Sequence, residues 1–217
     1  IVFGIGGLIG TLIAWTSNAY VSGVQAFTEL RENHSLFEIS LAGNQFELTS
    51  LIFLWVAAGI VIVIRRVFGV VRWHGPADSI YHAQQSKEPL DIKHGIASTL
   101  TAFTSAAGGG SVGQYGPLVH FGATLGIAVK RFVSSRLSHE VYLGCGVAAA
   151  ISAGFGAPIA GIVFAHEAVL RHFSVRAIAP ISIASVTASA VSQSFFNTSA
   201  TFNISTSAPD LVSVIPV

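Results

Sequence analysis

The sequence predicts an all-α integral membrane protein, a bundle of tilted and broken helices. Three observations carry this: a near-absence of charge, several apolar runs of bilayer length, and glycine and proline concentrated inside the apolar part. Only 10% of the 217 residues are charged and 52% are hydrophobic, giving a mean hydropathy of +0.67. A soluble domain carries about 25% charged residues. This chain has too little charge to cover a water-facing surface, so the surface it presents faces lipid. The formal net charge of +1 offers no field for nucleic acid, and no nucleic-acid partner is expected. Cys145 stands alone in "YLGCGVAAA", which excludes an internal disulfide or a cysteine metal cluster and suits a small core residue.

The elements follow in order. Residues 1–27 read as a first span, with Gly4, Gly6, Gly7 and Gly10 allowing close helix packing. Residues 28–47 are polar and read as an extracytoplasmic loop. Residues 48–71 are the clearest span, and Arg65, Arg66 and Arg72 cluster at its far end. The positive-inside rule makes that end cytoplasmic. Residues 92–107 are weakly apolar, and 117–133 form a short span running into Lys130 and Arg131. Residues 141–170 are long but interrupted at "GFGAP", and 175–196 are apolar with Ser, Thr and Ala suited to tight packing. The tail from Asn197 onward is polar, then faintly apolar. The chain has no Met and opens on "IVFGIGG", so residues 1–217 are expected to be a single partial transmembrane domain of a longer product. A chain following a cleaved signal peptide is the alternative.

Irregular backbone at membrane depth survives only when buried or lining a cavity, and half-helices ending there aim their positive N-termini at anions. Three stretches qualify. In "RWHGPADSI", residues 72–80, Gly75 and Pro76 followed by Asp78 and Ser79 suit a loop and a helix start; locally, an ordinary capped cytoplasmic turn explains them. In "SAAGGGSVGQYGPLVHFGATLG", residues 105–126, Gly108, Gly109, Gly110, Gly113 and Gly116 leave the backbone bare, and Pro117 suits a first helical turn. The amides from Gly113 to Leu118 are expected to converge on one anion. No Lys-Ser/Thr pair follows, so this is not a P-loop, and "GGSVG" lacks the setting of a hydrolase elbow. In "GFGAPIAGIVFAHEAVL", residues 154–170, Glu167 is an intramembrane carboxylate, a functional candidate that can equally cap a helix or pair with Arg171 or Arg176. Leu170 stands where H-E-x-x-H needs its second histidine. The histidines at 34, 74, 82, 94, 120 and 139 show no ligand spacing. No catalytic residue, metal site or cofactor is expected, and an enzyme is not.

Together these stretches resemble the CLC family of chloride channels and proton-coupled chloride antiporters. "GQYGPLVHFGATLG" resembles the family's G-K/R-E-G-P segment, "GFGAPIAGIVFAHEAVL" is similar to its N-A-P-L-A-G-I-L-F-x-x-E-E stretch, and "RWHGPADSI" takes the place of G-S-G-I-P. The resemblance implies a CLC-type bundle, the first of two inverted repeats, in a multi-pass membrane protein. It implies a homodimer with one anion pore per subunit, a bilayer environment, chloride or a similar small anion as ligand, and a C-terminal half of the subunit supplied beyond these residues. It places the anion at His74, Gly75, Pro76, Ala77 and Asp78 and at Gly113, Gln114, Tyr115, Gly116, Pro117 and Leu118. The family's gating glutamate becomes Tyr115, and its internal proton glutamate becomes Ala168, with Glu167 beside it. Tyrosine has an ordinary pKa of about 10 and alanine carries no proton, so passive anion conduction is the expectation. Antiport by another proton route, through Glu167 or His120, and a non-conducting relative are the alternatives. Tyr115 either donates its hydroxyl to the anion or plugs the site with its ring. His74 either charges in acid and favours anion entry or packs neutral against Trp73.

Overall fold

A computed structural model describes residues 2–33, 38–41, 44–47, 49–84, 90–133, 137–172 and 174–196. The predicted tail beyond Phe196 lies outside the described residues. Eight α-helices are present among them: α1 (Val2–Asn33), α2 (Thr49–Phe68), α3 (Pro76–Gln84), α4 (Ile92–Ala107), α5 (Tyr115–Phe132), α6 (His139–Phe155), α7 (Pro158–Phe164) and α8 (Val175–Phe196). A π-helical turn, Ala165–Leu170, continues α7. A two-stranded antiparallel ribbon, β1 (Glu38–Leu41) and β2 (Asn44–Glu47), pairs Glu38 with Glu47 and Leu41 with Asn44. Helix α1 continues to Asn33, so the first six positions of the expected 28–47 loop are helical. Among the described residues, α1, α2 and α8 are each long and apolar enough to cross a membrane.

Helix α6 is the centre. Its residues Val141 to Ala153 are buried without a break, as expected of a helix that is apolar all round. Against it lies α5, running antiparallel. A methyl group on Gly122 would meet the Gly146 carbonyl and the Ala150 side chain, and one on Gly126 would strike the Tyr142 carbonyl. The two backbones therefore touch. Small residues give this closeness where lipid removes the hydrophobic drive between helices. Helix α6 ends at Gly156, whose φ of 64° is left-handed, the usual glycine stop. Pro158 then starts α7 at a position where proline costs no hydrogen bond.

Helices α1 and α8 run parallel, with Gly6 opposite Pro180, Gly10 opposite Ala184, and Asn18 Nδ2 donating to Ser192 Oγ at 2.8 Å. Gly4 and Gly7 face open space instead, so only half of the expected glycine stripe is used for packing. Ser185 Oγ donates to the Pro158 carbonyl at 2.8 Å, and Ser152 Oγ to the Ser185 carbonyl at 2.6 Å. These hydroxyls tie α8 to the start of α7 and α6 to α8. Helix α2 buries only Thr49 and Ala57. Its remaining surface, with Trp55 and Val67 largely bare, suits lipid.

Gly10→Ala would drive a methyl into the Ala184 carbonyl, so it is expected to destabilise the full-length protein by about 1–3 kcal/mol. Gly7→Ala, in open space, is expected to stabilise it by about 1 kcal/mol through helix propensity. Thermal unfolding in detergent, compared for the two variants, checks the pair.

Candidate anion site

Two helix starts meet at the front of the bundle. Helix α3 begins at Pro76 and α5 at Tyr115. A methyl on Gly116 would touch the Pro76 ring at 3.7 Å, an ordinary contact. The two stretches, forty residues apart in sequence, are thus neighbours.

Their amides are not equally available. At the α3 start, the His74 N–H donates to Ser98 Oγ at 2.9 Å, and the Gly75 N–H donates to Asp78 Oδ2 at 2.8 Å. Arg72 pairs with the other Asp78 oxygen. The Asp78 N–H returns to the Gly75 carbonyl at 3.0 Å, and proline has no N–H. Among the described residues only Ala77 in this set keeps an unpaired amide. Asp78 therefore acts as the cap that local chemistry suggested, holding one amide of the set with its own carboxylate.

At the α5 start the protein's own acceptors are missing. Gly113 has φ of 68°, left-handed backbone that glycine adopts without strain, and it turns the chain out of the glycine loop. Gln114 precedes the helix but its side chain makes no capping bond. The first amide to find a carbonyl is that of Leu118, on Gln114 at 3.3 Å. Among the described residues the amides of Gly113, Gln114, Tyr115 and Gly116 have no backbone acceptor. Leu118 is 1% exposed, so it belongs to the core and contributes no free amide. A helix N-terminus carries about half a positive charge, and four amides without partners concentrate it here.

The Tyr115 ring lies flat on Phe155, with centroids 4.2 Å apart and planes 28° from parallel. A methyl on Gly154 would contact Tyr115 Cδ1 at 3.4 Å and Leu118 Cδ2 at 3.2 Å. The ring is thus seated on the end of α6, at the wall of a cavity of about 510 Å³ that Pro76, Gly116, Val119, Ala160 and Phe164 also line. Apart from the phenol, those walls are apolar. Glu167 and Ala168 sit on the π-helical turn below: Glu167 is exposed and Ala168 half-buried. The turn ends at Arg171, whose φ of 56° is left-handed for a non-glycine residue. A π turn adds one residue and shifts every side chain after it round the helix, which apolar periodicity does not reveal.

A second cavity, of about 260 Å³, also borders Pro76, together with Pro117. His74, Ser98, Thr101, Ser105 and His120 line it. Sequence spacing gave no reason to group these histidines; the fold does. Among the described residues no cluster of three side chains has the arrangement of a metal site.

The family model described as voltage gated chloride channel matches residues 56–217. A putative chloride channel protein ClcB-like of Ralstonia nicotianae is 29% identical over 118 residues, covering 52% of this chain and 28% of that protein. The voltage-gated ClC-type chloride channel ClcB of Escherichia coli is 25% identical over 136 residues, covering 63% of this chain and 32% of the relative. Among solved structures, a CLC-type fluoride/proton antiporter superposes with a TM-score of 0.70 at 23% identity, covering 88% of this chain and 46% of that one. A slow cyanobacterial Cl-/H+ antiporter gives 0.71 at 18% identity with the same coverage. The chain thus spans about a third of the length of these curated relatives and about half of these solved chains, and the two structures share its fold. With the match running over most of its length, the chain belongs to the voltage gated chloride channel (CLC) family of integral membrane proteins.

Proposed function

We propose that this chain forms part of a passive conduction path for chloride or a similar small anion. The four partnerless amides at the start of α5 are the observation that carries it. A site without side-chain charge favours an anion that sheds part of its water and accepts several weak donors, and it releases that anion quickly. The Ala77 amide, at the α3 start beside Gly116, is also without a partner among the described residues. The remaining donors belong to further chain, since this one covers 46% of the solved relatives with its fold; a second inverted repeat and a dimer are part of this reading.

Passive conduction, rather than exchange with protons, follows from the residues at the two relay positions. Tyr115 places a ring stacked on Phe155, not a carboxylate, at the first position, and Ala168 has no proton to give at the second. The stacking also favours the ring, not the hydroxyl, as what Tyr115 contributes: a movable plug beside the amides. Proton-coupled exchange is the second reading, because both solved relatives named above are described as antiporters.

Full-length protein in liposomes is expected to pass chloride down its gradient with no stoichiometric proton movement, read with paired chloride and pH electrodes; robust counter-transport of protons would end the passive reading. Tyr115→Ala is expected to raise that flux roughly tenfold by removing the plug, equivalent to about 1.4 kcal/mol of barrier. Tyr115→Phe should stay within about twofold, since the stacking ring remains. A Tyr115→Phe variant that loses conduction would show that the hydroxyl binds the anion. Liposomes holding residues 1–217 alone are expected to pass no anion.

A further inference from the structure

Arg31 is a cation far from the polar border of the bundle. It stands in the last turn of α1 and lies on the glycine loop that leads to the α5 start. A methyl on Gly109 would meet Arg31 Nη1 and come within 3.2 Å of Cζ. The φ of Gly109 is 95°, so its backbone and the guanidinium against it both call for glycine. The neighbouring Gly108 packs on the Ala57 side chain and near the Phe53 carbonyl. Ala57 is close to the middle of α2, one of the helices long and apolar enough to cross a membrane. The guanidinium therefore sits level with the middle of an apolar span. A charge at that depth is costly and is retained where it is paired or serves an ion.

Its pairing among the described residues is slight. The side chain is 17% exposed, and Nη1 is buried with no hydrogen-bond partner. Its ion pair runs from Nη2 to Glu32 Oε1 at 3.9 Å, and the Glu32 side chain is 68% exposed. An exposed pair at that distance holds a guanidinium weakly. From Ser105 to Leu118 the chain carries no charged residue, so Arg31 brings the glycine loop a charge that the loop lacks. That loop also borders open space. Gly110, Gly113 and Gln114 line a third cavity, of about 650 Å³, whose other wall includes Gln25, Thr28 and Glu29 of α1. Two of the four partnerless amides, those of Gly113 and Gln114, thus belong to residues on this cavity. Helix α1 brings both signs of charge to it: Glu29 in the lining, and Arg31 against the glycine that precedes Gly110.

We propose that Arg31 is a specificity-determining residue of the anion path: its charge gathers a small anion into the cavity beside the glycine loop, from which the anion passes to the amides at the α5 start. The inference rests on the reading of this chain as an anion path and adds the charge which that reading lacks. Neutral donors release an anion readily but gather it poorly from dilute solution. A positive charge set in low-dielectric walls attracts anions over several ångströms and repels cations. Glu29, in the same cavity, opposes it, so the two side chains together set how strongly this mouth draws an anion. The Thr28 hydroxyl takes no part as a donor, because it is committed to the Val24 carbonyl at 3.0 Å.

The test uses full-length protein in planar bilayers, with potassium chloride as the probe. Arg31→Gln is expected to raise the chloride concentration that half-saturates the current about tenfold. It should also lower selectivity for chloride over potassium, read as the reversal potential in a salt gradient. Arg31→Lys keeps the charge and should stay within about threefold of wild type. Glu29→Gln, at an exposed position, should move the half-saturating concentration the other way, about threefold down. A side chain that only clamps the loop would give neither the rescue by lysine nor the opposite shift at Glu29. Unchanged half-saturation and selectivity in a folded Arg31→Gln protein, or a loss that Arg31→Lys does not recover, overturns the assignment. Where Arg31→Gln does not fold, Glu29→Gln decides, and the absence of a downward shift overturns it. Wild-type protein that passes no anion defeats the conduction reading. Chloride binding, read as ³⁵Cl line broadening in wild type and its loss in Arg31→Gln, then still decides the role of Arg31.

Discussion

The backbone contact between α5 and α6 is the constraint on which the rest of the structure depends. Gly122 and Gly126 let α5 lie directly on the carbonyls of Gly146 and Tyr142. With no side chain between them, neither helix can slide or rotate without a clash. That contact fixes where α5 begins, and so fixes Tyr115 over Phe155 and Gly116 beside Pro76. Helix α6 can serve as this anchor because it is small-residued and buried along its length. The glycines here let two backbones touch and so place a helix start; they are not a source of flexibility.

Around that anchor, the protein settles its broken backbone with its own side chains almost everywhere. Ser98 Oγ accepts from the His74 amide and Asp78 from the Gly75 amide, while the Ser185 and Ser152 hydroxyls donate to the Pro158 and Ser185 carbonyls. In a medium without water each such group left alone costs several kcal/mol, so the pairing is expected. The run from Gly113 to Gly116 departs from it. The chain there carries no capping side chain: Gln114 holds the N-cap position without using it. A site that a ligand is to occupy must leave its amides unclaimed, and the contrast between the two helix starts distinguishes a capped turn from an open cradle.

The ionisable groups follow the same division. Tyr115 lies against apolar walls and Glu167 points outward from the π-helical turn. His74 and His120 instead line the second cavity, together with Ser98, Thr101 and Ser105.

Much of this was legible in the sequence. Composition gave the membrane class, and the span at 175–196 matches α8 at both ends, because apolar runs and their polar borders are local properties. The break at "GFGAP" and the helix start near Pro117 were legible for the same reason: glycine and proline act on their own backbone. What sequence left open was decided by contacts between distant residues. Only the fold shows that Gly6 and Gly10 pack while Gly4 and Gly7 do not, since one helix has no knowledge of which face its neighbour takes. Only the fold shows that Asp78 closes one helix start and that, among the described residues, no side chain caps the other. His74, His94 and His120 have no spacing in the chain that relates them; they meet because α4 and α5 both fold back against the start of α3. The sequence by itself determined which segments are apolar enough to enter a membrane and where their helices break. The tertiary structure decided which broken ends face each other and which polar atoms are left without partners, because those depend on helix-to-helix distances that no local pattern records.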